Sequence, residues 1–150
     1  MKIVIQRVSK ASVTIHEKKV AAIKNGLLIL VGIVNEDGQE DIDFLVRKIV
    51  NLRIFNDENK VMNHSLLEVD GEALVVSQFT LQASTKRGNR PSYIKAAKAA
   101  IAIPLYEKFT QTLEKEMGKK VQTGKFGAAM MVELSNDGPV TISIDSKNKE

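Results

Sequence analysis

The run Gly26-Leu27-Leu28-Ile29-Leu30-Val31-Gly32-Ile33-Val34 decides the fold. It is the longest apolar run in the chain. Its nine residues fall far short of the roughly 20 that span a bilayer. No polar residue alternates through it, so it reads as a strand buried on both faces. Upstream, Ile3, Ile5 and Val8 stand among β-branched neighbours. Ser12-Val13-Thr14-Ile15-His16 alternates, and Lys19-Val20-Ala21-Ala22-Ile23 follows the polar turn Glu17-Lys18, which is a hairpin signal. Downstream, Asn35-Glu36-Asp37-Gly38 breaks the run and offers caps.

From Gln39 to Arg53 the spacing turns helical, with Ile42, Val46, Ile49 and Val50 on one face. Acids gather at its start and bases near its end, as the helix dipole favours. Asn56-Asp57-Glu58-Asn59 and Asp70-Gly71-Glu72 read as turns, the second leading into the strand Ala73-Leu74-Val75-Val76. Ser92 is expected to cap a short helix carrying Ile94, Ala97 and Ile101. Pro104 is expected to open another, with Leu105, Phe109, Leu113 and Met117, ended by Gly118. Ala128 to Leu134 reads as a strand, Ser135-Asn136-Asp137-Gly138-Pro139 as a turn, and Val140 to Ile144 as a final strand. The polar tail from 146 to 150 is expected to be loose. Strands at both ends with helices grouped between give an α+β class rather than a doubly wound sheet.

The 150 residues make one domain's worth of chain, 1–150, large enough to carry a core without staples. The chain has no cysteine, which excludes a disulfide scaffold, a thiol nucleophile and a thiolate metal site. Its two histidines, His16 and His64, cannot build a metal cage, so no metal and no cofactor is expected. The N-terminal apolar run is too short for a signal peptide, and a soluble cytoplasmic protein is expected. The net charge of +4 is unevenly placed. Lys86 to Lys125 holds ten Lys/Arg against three acids, a net of +7, whereas the remainder is −3. Such clustering is the footprint of a polyanion partner, or else a solvated helix face.

Several standard sites are excluded, since there is no HExxH, P-loop, GxGxxG or GxSxG pattern. His16 and His64 read as structural or exposed, or as bases without visible partners. What remains is small hydroxyls and sharp turns at strand ends. Ser77 and Thr80 follow a buried strand together with Gln78 and Phe79. Taken alone, they could merely satisfy local backbone groups, with Phe79 in the core.

Ser77-Gln78-Phe79-Thr80-Leu81 and Asn136-Asp137-Gly138-Pro139-Val140-Thr141 together resemble the two signature motifs of the D-aminoacyl-tRNA deacylase family, also called the D-Tyr-tRNA(Tyr) deacylase family. The opening Met1 to Val8, Arg90-Pro91-Ser92-Tyr93 and Thr123-Gly124-Lys125-Phe126-Gly127-Ala128 resemble that family in the same order. Tyr93 is a mild variation where the family often has Phe. The resemblance implies a mixed, strongly curved, barrel-like sheet with a few helices packed on it. It implies hydrolysis of the ester joining a D-amino acid to the terminal ribose of tRNA, and of glycine mischarged onto alanine tRNA. It implies a homodimer with its active site at the interface, with tRNA as partner and neither DNA nor membrane.

On this resemblance Gly138 and Pro139, joined by a cis peptide, enter the partner's pocket and reject L-residues, and Arg7 braces their turn. The Phe79 and Thr80 N–H groups are candidates for an oxyanion hole, helped by the ribose 2′-hydroxyl; Thr80 as a covalent nucleophile is the competing mechanism. Ser77 and Gln78 would orient the adenosine. Phe126 and Met130 would wall the adenine pocket, or simply pack in the core. Two other functions fit the residues, a non-catalytic RNA-binding module and a small-molecule ester or amide hydrolase.

Overall fold

In the computed structural model, which describes residues 1–149, the long first strand β1 (Lys2–Ile15) organises the sheet. One edge of β1 pairs antiparallel with β8 (Met131–Asp145) over almost its whole length. The other edge is shared. Lys2 to Val8 pair with β3 (Gly26–Gly32), and Ala11 to Ile15 pair with β2 (Lys18–Ile23). A strand with two successive neighbours on one edge must bend between them, and here β8 follows the bend. On its far side β3 pairs parallel with β6 (Glu72–Ser77), and β6 pairs parallel with β7 (Gln122–Thr123). The curl brings β2 against β6 and β7, so the mixed sheet is nearly closed and barrel-like. A separate small hairpin joins β4 (Phe55–Asn56) to β5 (Met62–His64).

The parallel pair β3–β6 needs a crossover, and α1 (Gln39–Asn51) supplies it. The run from Gly26 is buried on both faces, as its composition required. Leu27, Ile29 and Val31 face α1 and α2 (Ala99–Met117), where Ile42, Leu45, Ile49 and Phe109 complete the larger core. Leu28 meets Val8, Val13, Ile23 and Leu74 inside the curl. Each such side chain contributes about 1.5–3 kcal/mol by leaving water.

Four local expectations are corrected. The two helices expected between Ser92 and Met117 are one. Ser92 instead exchanges both backbone hydrogen bonds with Ser84, and Pro104 lies inside α2. The continuous buried stripe Ala102, Tyr106, Phe109, Leu113 and Met117 outweighs the bond lost at Pro104. The hairpin turn falls at His16 and Glu17, both at positive φ, which is the two-residue geometry that matches strand twist. The expected turn at 135–139 does not reverse the chain. Val8 pairs with Asn136 and Gln6 with Thr141, so residues 137–140 bulge out opposite Arg7 within one strand. The Asn136 side chain closes this bulge, accepting from the Val140 N–H at 2.8 Å. Finally, the tail is pinned at its start. Buried Ser146 accepts from the Met1 ammonium at 2.9 Å and donates to Asp41 at 2.6 Å, and Lys147 donates to Asp41 at 2.8 Å. Residue 150 lies outside the described residues.

Candidate active site

At the carboxyl ends of the parallel strands β3 and β6 lies a cleft of about 290 Å³. Val31, Ile33, Val76 and Val132 form apolar walls, Phe126 and Met130 close one side, and Ser77, Gln78 and Phe79 supply the polar end. The sequence positions them through local rules. Ser77 is the last rung of β6, opposite Val31, and the Gln78 N–H extends that ladder by donating to the Val31 carbonyl at 2.7 Å. The chain then tightens into a single 3₁₀ turn, Phe79–Gln82. Buried Gln82 locks it by donating from Nε2 to the Gly32 carbonyl at 2.8 Å. Gly32 is required here, because a Cβ would stand 2.8 Å from the Leu81 Cβ and 2.9 Å from the Gln78 carbonyl oxygen.

A 3₁₀ turn leaves its first N–H groups without internal acceptors. Those of Phe79 and Thr80 have no hydrogen-bond partner among the described residues. Thr80 is exposed, and its hydroxyl accepts from Gln78 Nε2 at 2.5 Å. Among the described residues no histidine or carboxylate bonds to it; His64 instead faces Glu68 at 3.8 Å, and His16 sits in the β1–β2 turn. Phe79 is 55% exposed rather than core, with its ring edge-on to Tyr93 at 5.0 Å.

Beneath the cleft Tyr106 donates to the Val75 carbonyl at 2.9 Å and contacts Phe126 edge-on at 5.9 Å. That bond anchors α2 on β6, and burial pushes the Tyr106 hydroxyl far up from its ordinary pKa. Gly124 lets Met130 into the wall, since a Cβ there would stand 2.5 Å from the Met130 sulfur. Among the described residues no group of three or more His, Cys, Asp or Glu could hold a metal ion.

The second set of sequence candidates is elsewhere in the chain. Arg7 pairs with Leu27 and Ser77 with Val31, so about 13 Å of β3 separates them. Arg7 is buried. Its Nε donates to the Asp137 carbonyl at 2.8 Å, and its Nη1 donates to the Ile54 carbonyl at 2.6 Å and to Asn56 Oδ1 at 3.3 Å. It thus ties the bulge to the β4–β5 hairpin, and Gly138 and Pro139 project exposed from it. Their peptide is cis, and Gly138 has φ 150°. A Cβ on Gly138 would meet the Val140 nitrogen at 2.7 Å and Arg7 Nη2 at 3.4 Å. The structure therefore brings Ser77, Gln78, Phe79, Phe126 and Met130 round one cleft with Thr80 beside it, and does not bring Arg7, Gly138 or Pro139 to it. Sequence reasoning missed Gly32, Gln82 and Tyr106. Only Gly32 carried a signal, a glycine inside a strand where another backbone comes close.

Residues 4–145 match the family described as D-Tyr-tRNA(Tyr) deacylase. The chain is 69% identical to a D-aminoacyl-tRNA deacylase of Flavobacterium psychrophilum and 65% identical to one of Bacteroides thetaiotaomicron, in both cases over all of each chain. Its fold superposes with a TM-score of 0.91 on a c-Myc DNA unwinding element binding protein, 42% identical over 97% of this chain and 98% of that one. It also superposes with a TM-score of 0.82 on a probable eukaryotic D-amino acid tRNA deacylase, over 95% and 97% of the two chains; at 15% identity this likeness concerns the fold alone. Fold and relatives together define the class, a hydrolase acting on ester bonds. Within that class, the chain belongs to the D-Tyr-tRNA(Tyr) deacylase family.

Proposed function

We propose that this chain hydrolyses the ester of D-aminoacyl-tRNA, and of glycine mischarged onto alanine tRNA, releasing free tRNA in the cytoplasm. One observation carries the reading: the main-chain N–H groups of Phe79 and Thr80, without a partner among the described residues, lie on and beside an apolar cleft whose polar lining side chains are Ser77 and Gln78. Ester hydrolysis builds negative charge on the carbonyl oxygen, and donors fixed in advance stabilise it without reorganising. An aminoacyl ester is activated enough to need no strong side-chain base. The neighbouring ribose 2′-hydroxyl would help activate water, Ser77 and Gln78 would orient the terminal adenosine, and Phe126 and Met130 would pack against its base. Thr80 as nucleophile is second, because its hydroxyl is held by Gln78 and bonds to no base among the described residues.

The working unit is a homodimer with the site at its interface. In one chain the cleft lacks a feature to tell D from L, and the exposed bulge at Gly138-Pro139 is left without a pocket. Placing the bulge of one protomer in the cleft of its partner answers both. A wall of main chain braced by Arg7 cannot yield to an L side chain as a rotatable residue could. Glycine, with no side chain, would pass, which accounts for cleavage of glycyl-tRNA. The test is deacylation by Thr80→Ala and Thr80→Ser. Activity near that of the unaltered chain is expected in both; loss in Thr80→Ala with retention in Thr80→Ser would favour the nucleophile.

A further inference from the structure

The cationic stretch from Lys86 to Lys125 does not form one surface, because α2 divides it. The parallel strands β3, β6 and β7 all point towards the cleft, and α2 lies against it at its start, through Ala102 and through Ala97 just before the helix. Lys98 is the N-cap of α2, whereas Lys115 lies in its last turn, about 25 Å away. Lys119, beyond that far end, pairs with Asp70 just before β6 begins. Lys125 returns to the cleft beside Phe126, and Lys86, Arg87 and Arg90 project from the loop closed by the Ser84–Ser92 pair.

The segments that line the cleft contain no carboxylate. There is none between Lys24 and Glu36, between Glu72 and Glu107, or between Glu116 and Glu133. Lys86, Arg87, Arg90, Lys98 and Lys125 are exposed, and none is within 4.0 Å of a carboxylate oxygen among the described residues. The nearby Asp37 and Asp41, at the start of α1, are already held by the Met1 ammonium and Lys147. Glu36 is left, but it shares a pocket with Lys95, which is therefore not counted. The first turn of α2 has no acidic residue to offset its dipole. An uncharged cleft is thus flanked by chain segments that carry five cations without an ion pair, a division of labour in which the rim would hold a polyanion and the cleft take its neutral end.

We propose that Lys86, Arg87, Arg90, Lys98 and Lys125 bind backbone phosphates of the RNA next to the acylated terminus, and that the cations at the opposite end of the fold take no part. The proposal rests on the deacylase reading. Its test compares Arg90→Gln/Lys98→Gln/Lys125→Gln with an equally charged control at the opposite end, Lys24→Gln/Lys115→Gln/Lys120→Gln, all six positions being exposed. Each phosphate that is no longer neutralised should lower the slope of log affinity against log salt by roughly 0.7–0.9. The rim variant should therefore lose about 2–3 from the slope, and its KM for D-aminoacyl-tRNA near 0.15 M salt should rise on the order of 10- to 100-fold, with a smaller change in kcat. The control should keep the slope and KM of the unaltered chain. A rim variant with unchanged slope, or a control that loses as much, overturns the assignment. Binding of uncharged tRNA by the same variants reads the rim independently of catalysis, so a failure of the deacylase reading shows separately as absence of hydrolysis by the unaltered chain.

Discussion

Replacing Gly32 with Ala tests whether the 3₁₀ turn, rather than any side chain on it, does the chemistry. The added Cβ would stand 2.8 Å from the Leu81 Cβ and 2.9 Å from the Gln78 carbonyl oxygen. Ordinary contact begins near 3.4 Å, so the turn must retreat by about 0.5–0.6 Å. A donor set at about 2.9 Å from an oxyanion would then stand near 3.5 Å, where little of the hydrogen bond survives. Loss of one such donor lowers kcat by roughly 10²–10³. The fold should survive, because overpacking of this size costs about 1–3 kcal/mol, or roughly 2–12 °C in Tm for a domain of this length. The assay is single-turnover deacylation of D-aminoacyl-tRNA by Gly32→Ala, with a melting curve by circular dichroism on the same preparation. A fall in kcat of about 10² in a folded protein is expected. A folded Gly32→Ala with unchanged kcat would refute the oxyanion role of the Phe79–Gln82 turn.

Gly138→Ala would force a Cβ to 2.7 Å from the Val140 nitrogen at φ 150°, so the bulge should shift and either activity or D-over-L preference should fall at least about tenfold; the ratio of D- to L-aminoacyl-tRNA hydrolysis reads this directly. Asp41 couples pH to stability. Burial pushes its carboxyl up, but hydrogen bonds from Lys147, Ser146 and the Gly38 N–H outweigh that and bring it to about 2. A folded pKa below the unfolded value means the contribution is complete above about pH 4 and is lost as pH falls towards 2. With Lys147 half-exposed and screened, the contribution is about 1 kcal/mol, and Asp41→Asn should flatten the denaturant midpoint across that window.

The fold was legible where burial alone dictates structure. The run from Gly26 had to be covered on both faces, and the spacing of Ile42, Val46 and Ile49 had to be a helix. It was illegible where long-range pairing overrides a local signal. Asn136-Asp137-Gly138-Pro139 has turn chemistry, yet both its flanks pair with β1, so the chain bulges and continues. Pro104 looks like a helix start, yet a stripe of five buried residues carries α2 through it. At the site, Ser77 to Thr80 could be picked out as motif residues. Their support could not be read, because the Gln82 bond to Gly32 and the Tyr106 bond to Val75 join residues 50 and 31 positions apart. The basic stretch was visible as charge, but its division by α2 needed three dimensions.

The proposed function is selection by chirality at an RNA-linked ester. It is read by the rate at which the unaltered chain deacylates one tRNA charged with the D- and with the L-form of the same amino acid. Rapid release of the D-residue with the L-ester left intact is predicted. Equal hydrolysis of both, or binding without hydrolysis of either, would contradict it.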